Sequence, residues 1–317
     1  ERSRGLGDVY KRQLACCDIF QIILEAAYEK YVSAANQNNQ NYQEIARLGY
    51  VSKAYLVLAA IGTSGGALNL LAQMLINQAN QYEADQRISF FRRHPDIDTF
   101  VQQHAAPYGW PLNDNYALAY RVLQSVCGIQ RGSQPYSHMK KAELVLKGYV
   151  SESSSTQLTS LNIAINGGLA MGHYWKGRLL LEQAKQDHDR CNDYKDAAIA
   201  SFCATNVTER FDHLPENADE DAAPQLSPPQ WLSAIELLRY PDRAVFRVDR
   251  RMVFQTIYQK LTQQVEEVQS DNIQIHNERY RLTKKDVRSN LERCLDMVKA
   301  QFPDKEPLIQ KMIRSIR

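Results

Sequence analysis

Small residues at fixed offsets constrain this 317-residue chain more than any other feature of it. An apolar-periodic run from Thr156 to Asn166 leads into Gly167-Gly168-Leu169-Ala170-Met171-Gly172-His173-Tyr174-Trp175-Lys176-Gly177-Arg178-Leu179-Leu180-Leu181, and Asp193-Tyr194-Lys195-Asp196-Ala197-Ala198 follows after a polar stretch. The order reads as helix, glycine break, helix, loop and the start of a further helix. Gly172 and Gly177 interrupt the second helical pattern, where each costs about 1 kcal/mol relative to Ala. Such a cost is offset where two helix backbones cross at short range, because a residue without a side chain lets them approach. Tyr174, Leu180 and Leu181 are then expected to fill the space beside the crossing.

The same plan occurs earlier, in Ala59-Ala60-Ile61-Gly62 followed by Gly66-Ala67-Leu68-Asn69-Leu70-Leu71-Ala72-Gln73-Met74-Leu75. Gly62 aligns with Gly167, Ala67 with Gly172 and Ala72 with Gly177, a uniform offset of 105 positions. That spacing is about three units of roughly 35 residues, near the period of helical-hairpin repeats.

The order G-x-A-x-G-x-Y-x-x-G from Gly168 to Gly177, with Asp193-Tyr194 and Lys195-Asp196-Ala197-Ala198 beyond it, resembles the Sel-one-like repeat, a relative of the tetratricopeptide repeat. That family's unit has a first helix carrying small residues and a leucine-glycine pair, an irregular loop, and a second helix built around a lysine-alanine-alanine core. The likeness covers Gly168 to Ala204 and, less fully, Lys53 to Phe91. Lys176 stands where the family prefers leucine, Ala72 replaces the second glycine, and Gln183 to Asn192 is polar where the family's loop is rich in glycine. Between Arg92 and Gly148 no clean unit can be placed.

The resemblance implies a short, degenerate α-solenoid that acts as a scaffold or adaptor for another protein, without catalysis or a cofactor. Stacked helix pairs leave an extended concave face, which the first helix of each unit lines in related solenoids. On those helices the polar or aromatic residues off the small-residue seam are Asn69, Gln73, His173, Trp175, Lys176 and Arg178, the candidate protein-binding residues. Trp and Arg are frequent binding anchors. Proteins with such repeats are common in bacteria, and a bacterial source is expected on that ground.

Composition agrees with a folded chain, since 44% of residues are apolar and 23% charged. No run of eighteen apolar residues occurs, so no transmembrane helix is expected. Residues 1–13 (ERSRGLGDVYKRQ) resemble a translated sequencing-adapter remnant at the end of a metagenomic fragment and are set aside from fold reasoning. They carry the whole of the +2 net charge. With the true start expected to be missing, the compartment stays open: cytoplasmic by default, periplasmic or secreted as alternatives.

The expected architecture is all-α. Helical repeats occupy residues 14–212, an acidic, proline-containing linker residues 213–229, and a small helical bundle residues 230–317. Helices are expected over Asp18 to Ala35, Tyr42 to Ile61, Gly66 to Ala79, Tyr82 to Arg93 and Ile97 to Ala105, with Pro107 to Pro111 as a rigid connection. Asp114 is an N-cap for Tyr116 to Val126, Ile129 to His138 is loop, Met139 to Lys147 is helix, and the serine cluster Ser151 to Ser155 is a separator. In the bundle, Ser227 caps a helix opening on Pro228 and Pro229. Phe254, Ile257, Leu261, Val265 and Val268 form one stripe, and Val287, Leu291, Leu295 and Val298 another, opened by Thr283 and Asp286. Leu308, Ile309, Met312, Ile313 and Ile316 give a last helix.

Catalytic patterns are missing: there is no phosphate-cradling glycine loop, nucleophile elbow, H-E-x-x-H or calcium loop. The six cysteines lack zinc or redox spacing and are expected as free thiols, and no metal site is expected from the scattered histidines. Arg243, Arg247, Arg250, Arg251, Arg279, Arg281, Lys284, Lys285 and Arg288 cluster around the turns of the bundle. They offer binding to nucleic acid or an anionic surface as an alternative function, together with a divergent enzyme in the bundle. Without a groove-reading motif a solvated face is expected instead, and nucleic acid is not the expected partner.

Overall fold

The computed structural model describes Ala72, Ile76 and residues 114–128, 135–212, 224–243, 245–269 and 282–316. These are all-α, with ten helices, two 3-10 turns and, among the described residues, no strand. The helices are α1 (Asn115–Gly128), α2 (Pro135–Leu146), α3 (Ser154–Asn166), α4 (Ala170–Gln186), α5 (Cys191–Cys203), α6 (Val207–Asp212), α7 (Pro228–Leu238), α8 (Arg250–Gln269), α9 (Lys284–Gln301) and α10 (Glu306–Ser315). Two compact units divide the chain, Glu1–Ile163 and Ala164–Arg317, and the division falls within α3.

Local chemistry sets the helix ends. Asp114 Oδ1 accepts the N–H groups of Tyr116 and Ala117 at 2.9 and 3.1 Å, the expected cap of α1. Helix α2 starts at Pro135, inside the stretch expected as loop, because a proline in the first turn has its φ preset and lacks only an N–H that would have had no partner. The serine cluster does more than separate: Ser153 Oγ accepts the Thr156 N–H at 3.3 Å, and Ser154 and Ser155 form the first turn of α3. Gly148 and Gly168 take φ of +76° and +81°, and each closes a helix in the same way. After α3 the Leu169 N–H reaches the Ala164 carbonyl at 3.1 Å and the Gly168 N–H the Ile165 carbonyl at 2.8 Å. Gln230 Oε1 accepts the Ser227 N–H at 3.0 Å, and Asp286 accepts that of Thr283 at 3.0 Å, so both expected helix starts in the C-terminal part are capped.

In the first unit, Leu118, Ala119, Val122, Leu123 and Val126 of α1 are buried, as are Met139, Ala142 and Leu144 of α2, which packs on it. Two lysines join this interior because each has a carboxylate. Lys141 Nζ lies 3.1 Å from Glu152 Oε1, and Glu143 is held between Lys140 and Lys147 at 2.9 Å each. Ala72 and Ile76, both helical and buried, are the described remnant of the earlier small-residue stretch, Ala72 being the residue aligned with Gly177. The expected helices over 18–35, 42–61, 82–93 and 97–105, the rest of 66–79 and the connection 107–111 lie outside the described residues.

The second unit is arranged around α7. Every residue from Pro229 to Leu238 is buried. A helix with no solvent face needs neighbours on all sides, and α7 packs on α4, α5 and α6 from the preceding sequence and on α8 and α9 from the following one. The expected boundary is therefore displaced. Residues after 229 do not form a bundle apart from the repeat-like helices, since Ala164–Arg317 is one compact unit; of the expected linker, residues 213–223 lie outside the described residues. The stripe of α8 is buried through Phe254, Ile257, Leu261 and Val265 with Val253 added, and that of α9 through Val287, Leu291 and Val298, where Cys294 and Met297 take the inward place expected for Leu295.

The Glu143 pairings carry a pH consequence. Burial alone raises a carboxyl pKa, but the ammonium groups of Lys140 and Lys147 outweigh it and hold Glu143 down at about 2. A folded pKa below the unfolded one adds stability above about pH 4.5 that is lost as the pH falls toward about 2, with an upper bound near 3 kcal/mol. Urea unfolding between pH 7 and pH 2.5 should show this loss. In Glu143→Gln the dependence over that interval should flatten, and an unchanged slope contradicts the assignment.

Candidate functional site

The residues that make α4 and α5 a hairpin are the small ones. Four residues, 187–190, connect the two helices, so the polar stretch expected as a ten-residue loop is largely helical at both ends. The turn is held by Asp187 Oδ1, which accepts the Arg190 N–H at 3.1 Å. Along the seam, a methyl placed on Gly177 would stand 2.5 Å from the ring of Phe202 on α5, closer than real side-chain carbons come. Gly172 is tight against α3 instead, with Ile165 Cγ1 at 3.0 Å and Ala164 Cβ at 3.4 Å. Phe202 is fully buried, and the Tyr174 ring lies 6.1 Å from it, centroid to centroid. The two interior glycines thus admit different neighbours, α3 at Gly172 and α5 at Gly177.

The candidate binding residues separate along this helix. Trp175 is only 8% exposed, its ring against Tyr174 at 5.0 Å, so it packs inside the unit and is not a surface anchor. Arg178 is likewise turned inward, toward Glu236 on α7. Helix α7, which carries Glu236, packs on α4. His173 and Lys176 stay half-buried on α4. Burial, and then the Lys176 charge, lower the His173 pKa, so the imidazole is neutral at pH 7. Asn69 and Gln73 lie outside the described residues.

A polar centre that sequence reading missed lies behind Arg178. Glu236 is 1% exposed. Its carboxylate is approached by Arg239 Nη1 at 3.1 Å, Arg293 Nη1 at 3.5 Å and Arg178 Nε at 3.7 Å. The Tyr174 hydroxyl accepts from Arg178 at 3.2 Å and from Arg293 at 3.4 Å. Asn290 Oδ1 and Ser289 Oγ accept from Arg293 at 3.2 and 3.1 Å. Burial pulls the Arg178 guanidinium toward neutrality, but the Tyr174 oxygen and the Glu236 carboxylate outweigh it and raise its pKa, so it stays charged. The signal available in the sequence was one glutamate inside an otherwise apolar helix, Trp231 to Leu238.

Other chemistry is sparse among the described residues. No group of three metal-ligating side chains occurs there, and Cys127, Cys191, Cys203 and Cys294 are free thiols. Burial pushes Cys127 up to about 11 and Cys294 to about 12, so both are protonated, weak nucleophiles at neutral pH. Several of the basic residues around the later turns already face acids: Arg243 meets Asp196 at 2.9 Å, Arg288 meets Glu292 at 3.1 Å and Arg247 meets Asp212 at 4.0 Å. No described helix is long and apolar enough to cross a membrane. No protein-family model matches the chain, and no curated protein or solved structure matches it either.

Two stability predictions follow from the seam and the centre. Gly→Ala inside a helix normally gains about 1 kcal/mol, but Gly177→Ala should lose about 1–3 kcal/mol because the methyl meets the Phe202 ring. Gly172→Ala should sit near zero, since the gain in helix propensity is offset by tight contacts with Ile165 Cγ1 at 3.0 Å and the Ile165 backbone N at 3.3 Å. Denaturant titration ranks them, and a stabilised Gly177→Ala contradicts the close approach. Glu236→Ala, which leaves three guanidinium groups around no carboxylate, should cost about 3–5 kcal/mol. A loss below about 1 kcal/mol in the same titration would show that the ion cluster is not structural.

Proposed function

We propose that the chain is a non-catalytic scaffold that binds another protein, with residues 14–212 forming a short, degenerate solenoid of Sel-one-like helical hairpins and the C-terminal helices covering its end. The observation that supports this reading is the seam between α3, α4 and α5. The small residues that carry the resemblance, Gly172 and Gly177, are those against which Ile165 and Phe202 pack. A stack of hairpins needs such a seam to bring its helices together. It also needs a terminal element that shields the last apolar face, and the buried α7, flanked by α8 and α9, has the composition for that role.

With Trp175 and Arg178 turned inward, the partner-facing part of α4 is carried in this reading by His173 and Lys176. A half-buried, neutral imidazole beside a lysine suits a mixed apolar and acidic contact.

The test is capture of a partner by the full chain, followed by titration of the purified pair. Lys176→Glu should weaken that pair at least about tenfold, whereas Arg288→Glu, on α9, should leave it within about twofold. Equal affinities for wild type and Lys176→Glu would remove α4 from the binding surface. Catalytic turnover of the captured partner would overturn the scaffold reading.

A further inference from the structure

The charges around Glu236 do not balance. Arg178 from α4, Arg239 at the end of α7 and Arg293 from α9 approach one carboxylate, and it is the only acid within ion-pair distance of any of them among the described residues. Glu182, one turn along α4, acts on Arg178 electrostatically from beyond ion-pair distance and pairs with Lys185 at 2.8 Å. The remaining contacts of the arginines, to Tyr174, Asn290 and Ser289, are neutral. Among the described residues two positive charges are left over: the Arg178 and Arg293 side chains are largely withdrawn from water, 15% and 21% exposed, and Arg239 stands at the exposed edge at 34%.

Stability alone does not call for this arrangement. One arginine would neutralise Glu236, and an apolar residue in place of a buried ion pair is often as stable or more so. The guanidinium groups also have hydrogen-bonding capacity to spare. Each has five N–H donors in a planar fork, yet among the described residues Arg239 donates only to Glu236, through Nη1, and Arg178 only to Tyr174, through Nη1. Forks of this kind match the spacing of oxygens on phosphate and carboxylate. A phosphate group carries a charge of about −1.5 to −2 at pH 7, which matches the surplus.

We propose that Arg178, Arg239 and Arg293 form a binding site for a phosphate group, which sits on the solvent-side edges of the three guanidinium forks while Glu236 holds them together from behind. The site lies within the second unit and does not depend on the scaffold reading. Tyr174, Asn290 and Ser289 hold Arg178 and Arg293 by hydrogen bonds and Glu236 Oε2 accepts from Arg239 before the ligand arrives, so little rotamer freedom is lost on binding. No bond is made or broken.

Isothermal titration of the full chain with inorganic phosphate, at constant ionic strength, tests the site. A second titration with glycerol phosphate distinguishes a free anion from a phosphomonoester, and binding of either supports the proposal. Arg239→Gln, at the most exposed of the three, should weaken binding about tenfold or more, the loss expected for one charge-assisted contact. Arg288→Gln removes the same charge from α9 outside the cluster and should change affinity less than twofold. Thermal unfolding of each variant without phosphate verifies that it is folded, and a given phosphate concentration should raise the midpoint of wild type and of Arg288→Gln by more than that of Arg239→Gln. Absence of binding by wild type overturns the proposal. So does an equal response of the two arginine variants, which would show diffuse electrostatic attraction.

Discussion

A carboxylate 1% exposed on a helix with no solvent face sets the terms for the second unit. Taking Glu236 out of water is tolerable only with cations close by, and the interior of an ion cluster costs several kcal/mol per charge if it is left unpaired. The three arginines come from α4, from the end of α7 and from α9. One charge therefore fixes where three segments meet, including α4, which lies some 50 residues earlier in the sequence than α7. The apolar face of α7, with Trp231, Leu232, Ile235, Leu237 and Leu238 buried, supplies the larger non-directional part of the attraction. The ions supply direction.

The α4–α5 hairpin depends on a different constraint, the absence of side chains. Where Gly177 meets Phe202, the ring occupies the volume a methyl would need. At Gly172 the same economy admits Ile165 from α3. Close approach lets large side chains such as Phe202 and Tyr174 fill the gaps at the density typical of protein interiors. The seam is thus a local device, set by residues within about forty positions of one another, whereas the Glu236 centre is a long-range one. Together they explain why α4, α5 and α6 belong to one unit with the helices after residue 223.

Much of the local structure was legible in the sequence because its causes are local. Asp114, Ser227 and Thr283 cap the helices they were expected to cap, and the glycines at 148 and 168 end the preceding ones. The inward role of Gly172 and Gly177 followed from their cost in a helix. The start of α2 was not legible, since Pro135 and Ser137 read equally well as loop residues. Nor was the partnership of Arg178 with Glu236: an arginine on a helix looks the same in sequence whether it faces solvent or a carboxylate 58 positions away. For the same reason Trp175 read as a surface anchor although it is buried. An acidic, proline-flanked stretch at 213–224 suggests a boundary, and composition carries no record of what α7 packs on afterwards.

Whether residues 164–317 behave as one cooperative body is the central claim. Native-state hydrogen exchange on the full chain, followed at the amides of α4, α7 and α9 across low denaturant concentrations, tests it most directly. The account predicts that the slowest amides of all three helices open with a common free energy and a common denaturant dependence. Opening of α8, α9 and α10 at markedly lower free energy, with α4 and α5 still protected, would contradict it and return the C-terminal helices to an independent bundle.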